Sequence, residues 1–360
     1  MRGVVMRNQQ LTVTTVPDPE PGPGEVLVRT LACGICGSDL HMLKYGPHVA
    51  DVMRRAGASG MMDLSRDVIM GHEFCAEIID HGPGCQEHLP AGTRVCSMPV
   101  LLRGAELLTI GYANGVPGGY GEYMVLNEML LLKVPENLPS AYAALTEPMA
   151  VGWHALAKAN FTPEDVPLVI GCGPVGLAVI AALKIRGAGP ILAADFSFKR
   201  RQLAQALGAD IVIDAAAESP YQRWQDAARR PDAGADLSGP LAFLMSPFRP
   251  AVIFECVGVP GLLQQIAAAA PRNARVVVVG VCMETDHLEA IFAATKELSM
   301  QFSYGYAPDE FALTLQHLAE GRINAAPLIT AEIGLDAVPA AFEELGNPER
   351  HAKIVVEPGR

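Results

Sequence analysis

Residues 31–41, LACGICGSDLH, concentrate side chains that can do chemistry. The stretch holds two thiols, a hydroxyl, a carboxylate and an imidazole, contributed by Cys33, Cys36, Ser38, Asp39 and His41. Thiolates and imidazoles are ligands of zinc, and two cysteines separated by two residues also form redox pairs. A catalytic metal site, a redox pair and half of a structural zinc site are all open at this point.

The remaining cysteines narrow these alternatives. No second CxxC occurs among the eight cysteines, which lie at positions 33, 36, 75, 85, 96, 172, 256 and 282. A four-cysteine zinc site cannot then be completed from close pairs, and a redox pair would normally open a helix in a thioredoxin-like setting. We expect one of the two thiols to be passive, and cysteines this sparse argue against a disulfide framework.

Two later positions offer partners for the first stretch. His72 supplies an imidazole, and the Glu73 carboxylate is next to it in the sequence. Glu147 lies at the junction of the β-rich region and the region in which strands alternate with helices. Catalytic zinc takes about three protein ligands and leaves one position for water or substrate. On spacing alone, however, a structural histidine is as good an interpretation as a ligand.

A nucleotide-binding turn is indicated at Gly171-Cys172-Gly173-Pro174-Val175-Gly176, which fits GxGxxG. The turn follows the apolar run LVI and opens the helical run VGLAVIAALKI. The first glycine makes the turn, the second lets the backbone approach a pyrophosphate, and the third lets the helix pack on the sheet. The alternative is a structural glycine turn without a nucleotide.

Asp195 bears on which nucleotide would bind. It ends the next predicted strand, 24 positions after Gly171. A carboxylate there accepts hydrogen bonds from the adenosine ribose and repels a 2′-phosphate, which favours NAD over NADP. Three basic residues at 199–201 weaken that preference.

The elements that must position these groups follow two different patterns of predicted secondary structure. Short strands separated by proline and glycine turns continue through about residue 145 and predict a β-rich barrel or sandwich. From Val166 strands alternate with helices, which predicts a parallel, doubly wound sheet. The tail has too few elements for its own core. We therefore expect a β-rich domain over 1–150, an α/β domain over 151–297, and a segment, 298–360, that rejoins the first domain.

Two segments are less regular. Residues 42–70 are long for a connection and predict a loop with a short helix at VADVMRRA, either a flap over a cleft or a surface elaboration. Between Ala215 and Pro250, AAAESPYQRWQDAARRPD predicts a helix, and DAGADLSGPLAFLMSPFRP predicts a loop or insertion.

Composition excludes several classes of partner. Of the 360 residues, 50% are hydrophobic and 18% charged, enough to build a large interior. The net charge of -12 argues against binding to nucleic acid or to an anionic membrane surface. The N-terminal residues lack the apolar core of a signal peptide, and no run approaches a membrane span, so we expect a cytoplasmic protein.

In their order along the chain, CGICGSDLH, GHEF, GTRV, GGYGEYM, TEPMAVGWHAL and VIGCGPVG resemble the zinc-dependent medium-chain alcohol and polyol dehydrogenases. The resemblance covers about Glu25 to Arg360. It implies an α/β protein in which a GroES-like β-rich catalytic domain accompanies a doubly wound Rossmann domain. It also implies zinc ligands, namely Cys36, His72 and Glu73, with Glu147 as a direct or water-mediated fourth, and it leaves Cys33 as a buried thiol.

The same resemblance implies hydride transfer between a secondary alcohol or polyol and NAD, giving a ketone or aldehyde. Ser38 would accept the alcohol proton, His41 would pass it on, and Asp39 would orient His72. Further cofactor contacts are implied at Val151, Arg200, Val257, Val281 and Lys353, the last of them to the pyrophosphate.

The sequence departs from many relatives after GTRV, where four closely spaced cysteines would hold a second zinc. That region contains Cys96 alone, so we expect one catalytic zinc per chain and no structural zinc. LSMQFSYGY is a plausible edge for association into a homodimer or homotetramer. Two alternatives remain, a metal-free medium-chain quinone or enoyl reductase and a non-catalytic nucleotide-binding protein. The Ser38 and His41 pair argues against the second.

Overall fold

The structure, a computed structural model, describes residues 1–57, 62–230 and 247–360. These residues divide into two compact units, one formed by Met1–Pro148 with Phe311–Arg360 and the other by Met149–Glu310. The first unit therefore uses both ends of the chain, and the second uses its middle. The domain boundaries expected from the sequence stay a prediction beside this division.

The first unit is rich in short strands. Before residue 149 its strands are β1 (Arg2–Arg7), β2 (Gln10–Thr15), β3 (Glu25–Gly34), β4 (Val68–Ile69), β5 (Glu73–His81), β6 (Arg94–Cys96), β7 (Val100–Arg103), β8 (Glu106–Thr109), β9 (Tyr123–Asn127) and β10 (Leu132–Lys133). The returning tail adds β17 (Ile329–Ile333) and β18 (Lys353–Val356). Short strands separated by turns are what the sequence predicts for this part of the chain.

The largest sheet of this unit has the strand order β10-β6-β5-β3-β18-β17, with β9 also paired to β3. A smaller sheet has the order β2-β1-β4, and β7 pairs with β8 as a separate hairpin. Strand β18 lies antiparallel to β3, with Val355 opposite Gly34 and Val356 opposite Cys33. The tail thus completes the sheet that begins near the N-terminus.

Helix α1 runs over Gly37–Arg55 and is longer than the sequence indicated. The loop with a short helix predicted for 42–70 was wrong in this respect, because the helix begins directly after Cys36 and continues through Pro47. Residues 58–61 of that segment lie outside the described residues. The other helices of the unit are α2 (Ser140–Ala143) and α10 (Val338–Glu344), with 3₁₀ turns at Glu128–Leu130 and Leu335–Ala337.

The second unit alternates strands and helices, as expected. Its strands are β11 (Val166–Ile170), β12 (Leu192–Asp195), β13 (Ile211–Asp214), β14 (Ala251–Glu255), β15 (Arg275–Val278) and β16 (Ser299–Phe302). Its helices are α4 (Pro174–Ile185), α5 (Phe198–Ala206), α6 (Pro220–Ala228), α7 (Leu262–Ala269) and α8 (Ala290–Thr295). The chain passes between the units within α3 (Thr146–Lys158) and α9 (Pro308–Ala319).

All the pairs in this second sheet are parallel, and the strand order is β13-β12-β11-β14-β15-β16. The order reverses between β11 and β14, which is where a doubly wound sheet binds its ligand. The helix predicted near residue 220 is present as α6, and the segment expected to be a loop or insertion falls largely within 231–246, outside the described residues. Strand β16 is an edge of the sheet, as LSMQFSYGY predicted.

Each unit has its own apolar core. The buried faces of β1, β3, β5 and β9 supply the first, which includes Met6, Val28 and Tyr120. Strands β11, β12, β14 and β15 and helix α6 supply the second, which includes Trp224. No helix in the described ranges is long and apolar enough to cross a bilayer.

Candidate active site

Cys36 lies between the end of β3 and the first turn of α1. The Oδ2 atom of Asp39 accepts a hydrogen bond from the backbone N–H of Cys36 at 3.1 Å. An acidic residue at this third helical position satisfies an N–H that would otherwise lack a partner. Asp39 therefore fixes the backbone that carries the Cys36 thiol.

Three ligand-type side chains converge next to this helix start. The sulfur of Cys36, a ring nitrogen of His72 and a carboxylate oxygen of Glu73 all lie within 4.8 Å of one another. The antiparallel register of β3 and β5 places Glu73 opposite Gly34. A Cβ atom on Gly34 would stand 2.0 Å from Oε2 of Glu73, so only glycine leaves room for that carboxylate.

The set suits a zinc ion in both chemistry and spacing. Thiolate, imidazole and carboxylate are the three ligand types that zinc takes in proteins. Ligands at normal zinc bond lengths around a tetrahedral centre lie about 3.3–3.8 Å apart. A separation of at most 4.8 Å needs only a small inward movement to reach that range.

His72 lies between the carboxylate of Asp39 and the hydroxyl of Ser38. Its Nδ1 lies 3.4 Å from Oδ1 of Asp39, and its Nε2 lies 3.4 Å from Oγ of Ser38. Burial alone would lower the pKa of His72, but Asp39 and Cys36 raise it well above its ordinary value. Burial likewise opposes ionisation of Asp39, yet its pKa is lowered by His72 and by two tyrosine hydroxyls.

The second site is the glycine turn between β11 and α4. Gly171 has a φ of +91°, and a Cβ on Gly176 would stand 1.9 Å from the Gly171 carbonyl oxygen. At Gly173 a Cβ would meet nothing nearer than the Arg200 guanidinium at 4.0 Å, so the backbone here is open to a ligand. Pro174 and Val175 begin the helix, whose N-terminal N–H groups favour a phosphate.

Asp195 ends β12 beside this turn. Its carboxylate accepts hydrogen bonds from the backbone N–H groups of Cys172 at 2.7 Å and Ser197 at 2.8 Å. These bonds hold the carboxylate in place, and each oxygen keeps capacity for a further donor. A dinucleotide with free ribose hydroxyls fits this arrangement.

The matching families cover both units of the chain. Residues 22–136 match the alcohol dehydrogenase GroES-like domain, and residues 174–320 match the zinc-binding dehydrogenase family. The chain is 32% identical to (R,R)-butanediol dehydrogenase of Bacillus subtilis over 99% of this chain and 100% of that protein. It is 30% identical to sorbitol dehydrogenase of Bos taurus over 92% of this chain and 89% of that protein.

The chain belongs to the zinc-dependent medium-chain alcohol and polyol dehydrogenase family. The crystal structure of 2R,3R-butanediol dehydrogenase from Bacillus subtilis has the same fold, with a TM-score of 0.80, 29% identity and 99% of each chain covered. The expected combination of a GroES-like domain and a Rossmann domain is confirmed. The chain is an alcohol or polyol oxidoreductase, and a metal-free quinone or enoyl reductase is not favoured.

Within this medium-chain dehydrogenase, Lys353 lies against the candidate ligand Glu73. Its ammonium lies 2.7 and 2.8 Å from the two oxygens of Glu73 and 3.1 Å from the carbonyl oxygen of Ile35. An ammonium has three N–H donors, and these acceptors use all of them. The pairing of β18 with β3 buries Lys353 against Glu73, and the expected contact to the pyrophosphate stays a prediction.

Glu147 and His41 lie near the site without joining the ligand group. The clustered ligand atoms in the described residues come from Cys36, His72 and Glu73, and do not include Glu147. Glu147 is half-buried in the first turn of α3, and its charge contributes to raising the pKa of Lys353. His41 follows Ser38 by three positions on α1, and burial together with Lys44 lowers its pKa. Its imidazole is therefore neutral at neutral pH.

Two tyrosines contact the candidate site but were not predicted from the sequence to do so. The Tyr120 hydroxyl donates to Oδ2 of Asp39 at 2.6 Å. The Tyr112 hydroxyl lies 2.9 Å from Oγ of Ser38 and 2.8 Å from Oδ1 of Asp39, so its single proton serves one of them at a time. Burial and the Asp39 charge raise the pKa of both tyrosines well above the ordinary value. The motif GGYGEYM contained Tyr120, but only the tertiary contact reveals its partner.

The remaining expected cofactor contacts all lie in the second unit. Val257 and Val281 are 41% and 48% exposed, in the loops after β14 and β15. Val151 is half-buried on α3, and the Nε atom of Arg200 is buried without a hydrogen-bond partner. The roles of these residues, like those of the ligands, stay predictions.

Proposed function

We propose that this protein is an NAD-linked, zinc-dependent dehydrogenase that interconverts secondary alcohols or polyols and their ketones. The observation that carries the proposal is the convergence of Cys36, His72 and Glu73 within 4.8 Å. Vicinal diols such as (R,R)-2,3-butanediol and polyols such as sorbitol are the first substrates to test, because the relatives are named for them.

Zinc would be held by Cys36, His72 and Glu73, with Glu147 as a direct or water-mediated fourth ligand. When bound, it supplies Lewis-acid polarisation of the alcohol oxygen, which lowers the pKa of the alcohol. Asp39, 3.4 Å from Nδ1 of His72, would orient the ring, as carboxylates commonly do for metal-bound histidines. Lys353 balances the charge of Glu73, and a carboxylate that accepts two N–H bonds still has lone pairs for a metal.

The alcohol proton would pass to Oγ of Ser38. Tyr112 holds that oxygen at 2.9 Å, so the hydroxyl is oriented before a substrate arrives. His41, on the same face of α1, is neutral and can accept the proton that Ser38 hands on. The pair Ser38 and His41 thus moves one proton away from the reacting oxygen for each alcohol oxidised.

NAD would bind at the glycine turn of residues 171–176, with Asp195 on the adenosine ribose. The carboxylate is already fixed by two backbone N–H groups, so a 2′-phosphate would meet a charge that cannot easily move away. This supports NAD over NADP. We also propose one zinc per chain without a structural zinc, a homodimer or homotetramer, and a cytoplasmic location.

The proposal is tested by measuring the metal content of the protein and its formation of NADH with a panel of substrates. Inductively coupled plasma mass spectrometry on protein purified without chelator is expected to find one zinc per chain, and none in Cys36→Ser. The zinc-loaded protein should form NADH with one or more of the diols and polyols, and Cys36→Ser should not. A full complement of zinc in Cys36→Ser, or NADH formation undiminished by its loss, would contradict the proposal.

A further inference from the structure

Glu255 is a buried carboxylate that neither the metal site nor the glycine turn uses. It ends β14, is 2% exposed, and lies opposite Ile170 of β11 and Val278 of β15. Its position is therefore in the middle of three strand ends at the carboxyl edge of the sheet. That edge is where a doubly wound sheet binds its ligand.

The side chain of Glu255 holds the loop that follows its own strand. Its Oε1 atom accepts hydrogen bonds from the N–H of Val257 at 2.7 Å and of Gly258 at 2.8 Å. Two donors on one oxygen restrain the backbone of residues 256–258. The Val257 side chain is held partly exposed at the surface of this loop.

The backbone of Glu255 holds the neighbouring loop. Its carbonyl oxygen accepts from the N–H of Val279 at 2.8 Å and of Gly280 at 2.9 Å. One residue thereby restrains both the 256–258 loop and the 279–281 loop.

The two loops touch backbone to backbone. A Cβ on Gly258, where φ is +72°, would stand 2.8 Å from the backbone of Val281. A Cβ on Gly280 would stand 2.4 Å from the nitrogen of Gly258 and 2.8 Å from Oε2 of Glu255. The contact leaves no room for a side chain at either position.

The strand order says which half of a dinucleotide these loops would meet. Asp195 and the glycine turn belong to the β11–β13 half of the sheet, which takes the adenosine half. The loops after β14 and β15 belong to the other half, which takes the nicotinamide mononucleotide. This step rests on the proposed function, which makes NAD the ligand.

We propose that Glu255 is a positioning residue that fixes the two loops carrying Val257 and Val281 as a support for the nicotinamide half of the cofactor. Its loss loosens that support and leaves the adenosine half of the site intact. Glu255 does not touch the reacting atoms. It acts through the loops.

The test compares NADH with ADP, which contains only the adenosine and pyrophosphate part. Binding is measured by isothermal titration calorimetry. Glu255→Ala is expected to weaken NADH at least tenfold and to leave ADP within threefold, and Glu255→Gln, which keeps an acceptor oxygen, is expected to retain most NADH affinity. Asp210→Asn is the control, because Asp210 also accepts a backbone N–H, from Ile191, but lies just before the amino end of β13.

Glycine variants keep the proposal testable if Glu255→Ala does not fold. Gly258→Ala pushes the two loops apart without altering the carboxylate and is expected to reproduce the selective loss of NADH. Gly261→Ala is its control, because Gly261 has a similar φ of +83° but open space around it. Hydrogen exchange of ligand-free Glu255→Ala should speed up at residues 257–258 and 279–280 specifically.

The outcomes separate the two proposals. Equal weakening of NADH and ADP in Glu255→Ala or Gly258→Ala, or no weakening of NADH in either, would overturn this inference alone. Absence of NADH binding by the unmodified protein would overturn the proposed function with it.

Discussion

The ammonium of Lys353 lies 2.7 and 2.8 Å from the two carboxylate oxygens of Glu73, and these side chains are only 3% and 0% exposed. The pair joins β18 to β5 across β3, within the sheet that both chain ends build. Breaking a buried ion pair leaves one charge without compensation, whereas a surface pair contributes little. Glu73 is also a proposed metal ligand, so the pair links stability to metal binding.

Lys353→Met should therefore lower the free energy of unfolding of the metal-free protein by about 3–5 kcal/mol. Zinc should restore much of this loss, since a cation beside Glu73 replaces the missing ammonium. Urea denaturation with and without zinc measures both effects. Arg2→Met is the control, because its pair with Asp336 is exposed and should contribute less than about 1 kcal/mol. Equal losses with and without zinc would contradict the link.

Gly34→Ala should abolish zinc binding. The new Cβ would stand 2.0 Å from Oε2 of Glu73 and must displace the carboxylate. Gly37→Ala is the matched control three residues past the end of β3, since nothing lies within 4 Å of a Cβ there. Metal content by mass spectrometry should fall to near zero in the first variant and stay at one zinc per chain in the second. A zinc-replete Gly34→Ala would remove Glu73 from the ligand set.

Tyr112→Phe and Tyr120→Phe should have different consequences. Tyr120 donates to Asp39 deep in the core, so its loss should cost about 1–3 kcal/mol of stability. Tyr112 orients Ser38, so its loss should lower kcat by about tenfold or more with a smaller effect on stability. Denaturation and steady-state kinetics on the same two variants distinguish these roles. Equal kcat in Tyr112→Phe and the unmodified enzyme would exclude Tyr112 from the proton path.

Asp195→Ser should shift cofactor preference toward NADP. Removing the carboxylate removes the repulsion of a 2′-phosphate, and the buried Nε of Arg200 has no hydrogen-bond partner to give up. We expect the ratio of kcat/KM for NADP to that for NAD to rise by about tenfold or more, because one lost charge repulsion of about 1.4 kcal/mol is a tenfold effect. Arg201→Ser should not raise this ratio, since Arg201 is committed to Asp214 and to backbone carbonyls. An unchanged ratio in Asp195→Ser would contradict the assignment.

Glu255→Gln should reduce the loss in the free energy of unfolding that occurs as pH rises. Burial raises the pKa of Glu255 above its ordinary value of 4.5, Asp286 adds to the rise, and the two backbone N–H bonds oppose it. Tyr221 and Cys256 face the same carboxylate, and their own pKa values are raised partly by it. A raised pKa in the folded state means that ionisation is costlier there than in the unfolded chain. This contribution is absent below pH 4.5 and destabilises the fold as pH rises through the folded pKa.

Chemical denaturation between pH 4.5 and neutrality measures this effect. The unmodified protein should lose more stability than Glu255→Gln as pH increases over that interval. Identical slopes for the two proteins would show that Glu255 titrates normally in the folded state. Asp286→Asn should give a smaller reduction of the slope, because its charge is a secondary cause of the shift.

Local patterns predicted the features that depend on local residues. The alternation of strands and helices after Val166 and the glycine turn were readable because periodicity and glycine spacing are sequence properties. The place of Lys353 was not readable, because it depends on β18 pairing with a strand more than 300 residues earlier. The length of α1 was missed because a proline and two glycines lie within it, where tertiary packing overrides propensity.

The candidate ligands were named by resemblance, and the chain alone left them undecided. Spacing between Cys36 and His72 carries no geometric information until the register of β3 and β5 is known. Tyr112 gave no signal, because it is a single tyrosine in a loop whose partners, Ser38 and Asp39, are far away in sequence. Glu255 gave no signal in the sequence, because its role depends on the loops that it holds in the folded chain.

The return of residues 311–360 to the first unit has a consequence for biosynthesis. A ribosome making this chain finishes the second unit, Met149–Glu310, before β17 and β18 have been synthesised. The nucleotide-binding half can therefore fold while translation continues, but Glu73 must wait for Lys353 to emerge. During that interval residues 33 and 34 of β3 lack the strand that later pairs with them, and the Glu73 carboxylate lacks its ammonium partner. The candidate ligand cluster is thus encoded early in the chain, whereas the ammonium that pairs with its carboxylate is encoded 280 residues later.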